Sequence, residues 1–321
     1  MKTSIPIIDL TSSTEYVAVQ IHQACRTFGF FYVVGHGIDK TLQKNLENLS
    51  RQFFAQDEAS KMQIKMSLGG KAWRGYFPVG GELTSGQPDL KEGIYFGEEL
   101  SKNHSMVIAQ TPLHGANLFP ENFPEFKKII IEYLAAMSAL GHKLMRAITL
   151  SLELEENYFS SHYTADPLIL FRIFNYPAVN NSQSLWGVGE HTDYGLLTIL
   201  KQDDAGGLQV KTPSGWIEAP PIPNSFACNI GDMLDRLTNE FYRSTPHRVR
   251  NISGRDRLSF PFFFDPNWNA KIEPLPRLYS SENNFHLRWD QENLQEFQGT
   301  YGEYLLSKIS KVFPYLHDEV L

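Results

Sequence analysis

Cysteine is scarce in this sequence: only Cys25 and Cys228 occur in 321 residues. Two thiols are too few for a disulfide framework, so a reducing cytoplasm is the expected setting and both read as small core residues. Also missing is any uninterrupted apolar run long enough to cross a bilayer, and Met1–Leu10 reads as carrying no basic-then-apolar leader. Basic residues are not in surplus either. Lys and Arg number 29 against 36 Asp and Glu, a net charge of −7, and the pI is near 5.8. That balance offers no field for nucleic acid or an anionic membrane. No repeat or low-complexity segment appears. What is present, 42% hydrophobic and 13% aromatic residues with 20% charged, describes a globular chain with a sizeable core. A small-molecule partner and a monomer are the expectations.

Patterning along the chain outlines the architecture. Ile5–Leu10 reads as a short strand, with Pro6 pointing to a sheet edge. Helical spacing of Val17, Ile21, Ala24 and Phe28 predicts a helix after a cap at Ser12, Ser13 or Thr14. Phe30–Val34 is a compact buried strand, and a second helix covers Asp39–Phe54. Residues 71–97, rich in glycine and aromatics with little periodicity, predict a long irregular loop, and such loops are usually functional. Phe126 to Glu153 repeats apolar residues at three- and four-residue steps, the pattern of a long helix. From Leu168 onward short strands alternate with Gly, Pro and Asp turns, as a jelly roll requires. Thr300–Val312 reads as a closing helix, and Leu275, Phe285 and Trp289 as a tail folded back over the barrel.

Chemistry concentrates in Glu190-His191-Thr192-Asp193-Tyr194-Gly195. The apolar run Leu196–Leu200 that follows predicts an extended segment. On such a segment His191 and Asp193, two apart, share a face. A distant His247 on a second strand completes two imidazoles and one carboxylate, the facial triad that suits non-haem Fe(II) with open positions. Taken alone, a His-x-Asp pair is more often a turn or a surface pair.

Arg257-Leu258-Ser259 comes shortly after His247 and opens the apolar run Phe260–Phe264. A guanidinium and a hydroxyl on one strand face, among apolar neighbours, need an anionic partner, because an unpaired buried charge is costly. The planar donors of arginine match a carboxylate. The partner is either an internal acidic residue or a bound carboxylate.

Together, His191-x-Asp193, His247 and Arg257-x-Ser259 resemble the 2-oxoglutarate and Fe(II)-dependent oxygenases, specifically the isopenicillin N synthase-like family. The likeness extends from Ile5–Leu10 through Gly29–Ile38 to Phe264-Asp265-Pro266. The resemblance implies a mixed α/β, mainly β fold with a double-stranded β-helix (jelly roll) core. It also implies a helical N-terminal region, a long buttressing helix and a C-terminal helix. The expected layout is residues 1–120 as a helix/strand region with the active-site loop, then residues 121–321 as the catalytic core with its tail, in one compact unit. His36, in Gly-His-Gly, is structural in this family. The implied ligands are Fe(II), held by His191, Asp193 and His247, and 2-oxoglutarate, whose distal carboxylate falls to Arg257, Ser259 and Tyr176. O2 is the oxidant, and ascorbate serves as reductant in vitro. Plant relatives carry asparagine where this chain has Phe174, which removes one polar contact. A carboxylate at 193 argues against a halogenase, since halogenases have a small residue there.

The implied reaction is hydroxylation, desaturation or oxidative cyclisation of a small molecule, with release of succinate and CO2 and a place in secondary metabolism. The alternative is an isopenicillin N synthase-type oxidase using O2 without 2-oxoglutarate, with Arg257 and Ser259 holding the substrate's own carboxylate. A binding barrel without activity is a third reading. Candidate substrate contacts are Arg74, Tyr76, Glu92, Arg172, Phe174 and Phe263, each with a structural alternative. Arg74, Arg172 and Lys71 as carboxylate holders would suit an amino-acid-like substrate. The aromatic residues would equally suit an aromatic or terpenoid one.

Overall fold

A computed structural model describes residues 4–84, 86–178, 186–275 and 288–313. The strands are β1 (Ile7–Asp9), β2 (Phe30–Val34), β3 (Gly75–Phe77), β4 (Leu83–Thr84), β5 (Gln87–Pro88), β6 (Glu92–Gly97) and β7 (Leu168–Tyr176). They continue with β8 (Val188–His191), β9 (Leu197–Gln202), β10 (Leu208–Thr212), β11 (Gly215–Glu218), β12 (Phe226–Ile230), β13 (His247–Val249) and β14 (Arg257–Asp265). The helices are α1 (Thr14–Thr27), α2 (Lys40–Phe54), α3 (Glu58–Lys61), α4 (Ser105–Ile108), α5 (Pro124–Ser151), α6 (Tyr158–His162), α7 (Asp232–Leu237) and α8 (Tyr301–Val312).

Two sheets make the jelly-roll core. The large one runs β1-β2-β12-β9-β14-β7-β6-β3 and the small one β11-β10-β13-β8. β1, with Pro6 just before it, is indeed an edge strand. α5 packs against α1 and α2 and buries Ile130, Tyr133, Met137, Leu144 and Ile148, which recur at helical spacing. The capping residues act as their chemistry requires. Ser13 accepts from the Tyr16 amide at the start of α1, and Asp39 from the Leu42 amide at the start of α2. At α8, Thr300 and Glu303 form a reciprocal capping box. No helix among the described residues is long and apolar enough to cross a membrane.

Two expectations need correction. Residues 71–97 are not one long irregular loop. β3 and β6 lie within that stretch and extend the large sheet, with Glu92–Gly97 paired residue by residue to Asn175–Leu170. All six residues of β6 are buried, two of them glycine, so no polar/apolar alternation marks the strand. The second correction concerns His191 and Asp193, which do not share one strand. β8 ends at His191, and Asp193 lies in the connection that crosses from the small sheet to β9 of the large one. The expected tail contact Phe285 lies outside the described residues; Leu275 is buried and the expected helix at the end of the described residues is α8.

That crossing connection is tight. A Cβ on Gly195 would overlap the Asp265 carboxylate, and Asp265 is itself pinned by the Tyr301 hydroxyl at 2.5 Å. Gly195→Ala is therefore expected to destabilise the protein by about 1–3 kcal/mol, the usual range for overpacking. Chemical denaturation measures this, and an unchanged midpoint would show that the connection has slack.

Candidate metal centre

The small sheet brings the two imidazoles together. His191 at the end of β8 and His247 at the start of β13 are direct partners across the ladder, with ring centroids 4.3 Å apart. Asp193 reaches the same point from the crossing connection. Its Oδ1 lies 3.9 Å from His191 Nε2 and 3.7 Å from His247 Nε2. One ligand atom from each residue falls within 4.8 Å of the others, so the three can hold one metal ion.

Neighbours fix how each group points. Asp193 Oδ2 accepts from Thr198 Oγ1 at 2.6 Å and from Asn229 Nδ2 at 2.7 Å, which leaves Oδ1 towards the imidazoles. His191 Nδ1 is 2.8 Å from the Gly189 carbonyl, and His247 Nδ1 is 3.2 Å from that of Thr245. Donation from Nδ1–H to a carbonyl sets the tautomer whose Nε2 lone pair is free for a metal. Burial, and then the neighbouring His247, push the His191 pKa down to about 4, so its imidazole is neutral near pH 7. Burial resists ionisation of Asp193, but the two imidazoles and the Asn229 and Thr198 hydrogen bonds outweigh it and lower its pKa. These protonation states are those a metal ligand needs.

The supports of Asp193 give a testable consequence. Thr198→Val or Asn229→Ala is expected to weaken Fe(II) affinity by about 10- to 100-fold, the usual cost of losing a partner of a metal ligand. A metal titration reads this, and unchanged affinity would show that Asp193 is oriented by other contacts.

A cavity of about 400 Å³ opens beside the triad. Its wall shows the period of two expected of strands. From β14 come Arg257, Ser259, Pro261, Phe263 and Asp265; from β7 come Leu170, Arg172, Phe174 and Tyr176. Arg257 is fully buried, and its Nε donates to the Gly206 carbonyl at 2.6 Å. Its Nη1 and Nη2 are buried with no hydrogen-bond partner among the described residues. No acidic side chain of the described residues accepts from them, which disfavours the internal ion pair left open by the sequence. Its Cζ sits 4.8 Å over the Tyr176 ring, its partner across the ladder, and Ser259 Oγ is 3.5 Å from the Tyr176 hydroxyl. A buried guanidinium with two idle donors beside two hydroxyls fits a carboxylate brought in from solution.

Of the candidate substrate contacts, Arg172, Phe174 and Phe263 line the cavity; Arg74, Tyr76 and Glu92 do not. Glu92, the first residue of β6, points away from the cavity that its neighbour Lys91 lines. It accepts from Tyr76 Oη and Lys61 Nζ, both at 2.6 Å, and from Asn175 Nδ2 at 2.8 Å. Arg74 is buried against the Leu113 carbonyl, 2.8 Å away, and faces a separate, smaller cavity. Those three residues hold the fold together behind the wall. His36 is structural, bonded to the Ile38 amide and the Asn224 carbonyl. The Arg248 guanidinium sits over the Trp186 and Trp216 rings at 4.1 and 3.8 Å. The sequence reasoning missed Glu82, Lys91, Tyr194 and the α8 residues Leu305, Lys308 and Ile309, all on the cavity wall. Of these, Leu305, Lys308 and Ile309 carried a periodic signal, since they share one face of the predicted closing helix at three- and four-residue steps.

Residues 5–122 match the family model described as the N-terminal region of non-haem dioxygenases in morphine synthesis. Residues 162–266 match the 2OG-Fe(II) oxygenase superfamily. A probable iron/ascorbate oxidoreductase of Dictyostelium discoideum is 52% identical, covering 99% of this chain and 97% of the relative. This chain belongs to the 2-oxoglutarate and Fe(II)-dependent oxygenases. A homoarginine-6-hydroxylase of Glycine max is 36% identical over 96% of each chain. Among solved structures, a full-length Neurospora crassa protein in complex with α-ketoglutarate (2-oxoglutarate) superimposes with a TM-score of 0.79. It is 29% identical and covers 95% of this chain and 96% of that one. The protein is thus an oxygenase that uses Fe(II), 2-oxoglutarate and O2 to oxidise a small molecule, with succinate and CO2 as co-products.

Proposed function

We propose that His191, Asp193 and His247 hold the catalytic iron and that Arg257, Ser259 and Tyr176 hold the distal carboxylate of 2-oxoglutarate. The observation that carries the second assignment is the pair of idle, buried Arg257 donors in the cavity that the triad also lines. Held by these residues, iron would supply the oxidising chemistry for a reaction that consumes the 2-oxo acid and oxidises the substrate. The protein orients both molecules. Tyr176 and Ser259 present hydroxyls to the carboxylate that Arg257 neutralises, and Leu170, Phe174, Val188 and Leu208 give the cavity apolar walls that exclude water. Phe174 and Phe263 provide surface for the primary substrate. Two buried, unpaired thiols suit a reducing cytoplasm, and we propose that the enzyme works there as a monomer.

Anaerobic addition of 2-oxoglutarate to the Fe(II)-loaded protein tests this reading. A visible metal-to-ligand charge-transfer band, lost in His191→Ala and requiring much more 2-oxoglutarate in Arg257→Ala, is expected. A band with the same 2-oxoglutarate dependence in both variants would place iron and co-substrate elsewhere.

A further inference from the structure

Beyond the iron and 2-oxoglutarate contacts, the cavity wall carries one more cation with an unused donor. Arg172 lies on the inward face of β7, its guanidinium packed between the Tyr95 ring at 4.1 Å and the Phe263 ring at 5.0 Å. Its Nε is buried without a hydrogen-bond partner among the described residues. The nearest carboxylate, Glu82 Oε1, stands 3.7 Å from Nη1, outside hydrogen-bond range. Glu82 is no dedicated counterion, because it accepts from Tyr95 Oη at 2.8 Å and pairs with Lys91 Nζ at 3.0 Å. Both Glu82 and Arg172 line the cavity that holds the triad.

We propose that the primary substrate is an α-amino acid in its zwitterionic form. Arg172 takes the α-carboxylate and Glu82 the α-ammonium. The inference rests on the oxygenase reading above and adds the substrate class. A carboxylate and a guanidinium 3.7 Å apart, facing one cavity, match two opposite charges carried on a single carbon. The guanidinium is packed against two rings, so its position is set before the ligand arrives. A carboxylate oxygen pair has about four acceptor sites, so Glu82 retains capacity beyond Tyr95 and Lys91.

The other charges near this pair have partners of their own. Lys91 and Arg172 are offset by Glu82 and Asp89, with Lys91 Nζ also 2.6 Å from Asp89 Oδ2. Elsewhere Arg288, Lys308 and Lys311 pair with Asp232, Asp290 and Glu292. A ligand carrying a single charge would meet only one of Glu82 and Arg172 and leave the other without a partner, whereas a zwitterion presents a charge to each.

The test uses the full-length protein loaded with Fe(II) and 2-oxoglutarate. The probes are the twenty protein L-amino acids and, for each that acts, its carboxamide and its 2-hydroxy acid. Succinate formation is followed under air, and binding by calorimetry under nitrogen. At least one amino acid is expected to raise succinate formation above the rate without it. Its carboxamide and its hydroxy acid are expected to bind about 10- to 100-fold more weakly, the loss of a hydrogen bond to a charged partner. In Arg172→Met the ratio of succinate formed with and without the amino acid is expected to fall towards one, and Arg172→Lys is expected to restore part of it. A ratio is unaffected by a general loss of iron-loaded protein, and if the methionine variant fails to fold, the carboxamide comparison on the unaltered protein decides. Stimulation by no amino acid, or equal binding of amino acid and carboxamide, overturns the proposal. Absence of any 2-oxoglutarate binding or turnover would instead overturn the oxygenase reading beneath it.

Discussion

His191→Ala, Asp193→Ala and His247→Ala are each expected to reduce succinate formation from 2-oxoglutarate to background. Loss of a residue that merely supports a metal ligand costs about 10- to 100-fold, so removal of a ligand itself should exceed about 100-fold. The three residues come from two strands and a connection, and their ligand atoms converge within 4.8 Å. Removing Asp193 would also leave the two imidazoles without the one carboxylate in that cluster. Metal analysis of each purified variant, alongside the rate, checks the cause. Full activity in all three would mean that the iron sits elsewhere.

Arg257→Ala is expected to raise the KM for 2-oxoglutarate by about 30-fold or more. Truncating one partner of a buried, hydrogen-bonded charge pair costs roughly 2–5 kcal/mol. Arg257→Lys should recover only part of this, because an ammonium cannot reproduce the two-pronged geometry of a guanidinium. Iron binding should persist, since Arg257 bonds to the Gly206 carbonyl and stacks on Tyr176 rather than touching a triad residue. Steady-state kinetics with varied 2-oxoglutarate measure the effect. An unchanged KM would send the distal carboxylate to a different partner.

Much of this site was legible because strand periodicity is simple. Once Arg257 and Ser259 are placed on one strand, their shared face follows, and Pro261 and Phe263 follow with them; all four line the cavity. The same rule puts Arg172 and Tyr176, four apart on β7, on one wall. Helix α5 was legible from its spacing, and the start of α1 from its capping serine. The rule failed where local pattern does not determine pairing. β6 is buried along its whole length, so nothing in its sequence announces that it joins β7 and turns Glu92 away from the cavity. His191 and Asp193 share a site although their shared-strand rationale was wrong, because a sheet-to-sheet crossing aims both groups at one point. Glu82 and Tyr194 reach the wall through tertiary packing, for which neighbouring residues carry no signal.

The central claim is that iron held by the triad and 2-oxoglutarate held by Arg257 work as one centre. Succinate formation from 2-oxoglutarate by the purified protein with Fe(II) and ascorbate under air, without a primary substrate, tests it most directly. Slow succinate release is expected, abolished by chelation and by His191→Ala and shifted to much higher 2-oxoglutarate by Arg257→Ala. O2 consumption with an active substrate but without 2-oxoglutarate, and with no succinate formed, would contradict the claim and point to an oxidase in which Arg257 holds the substrate's own carboxylate.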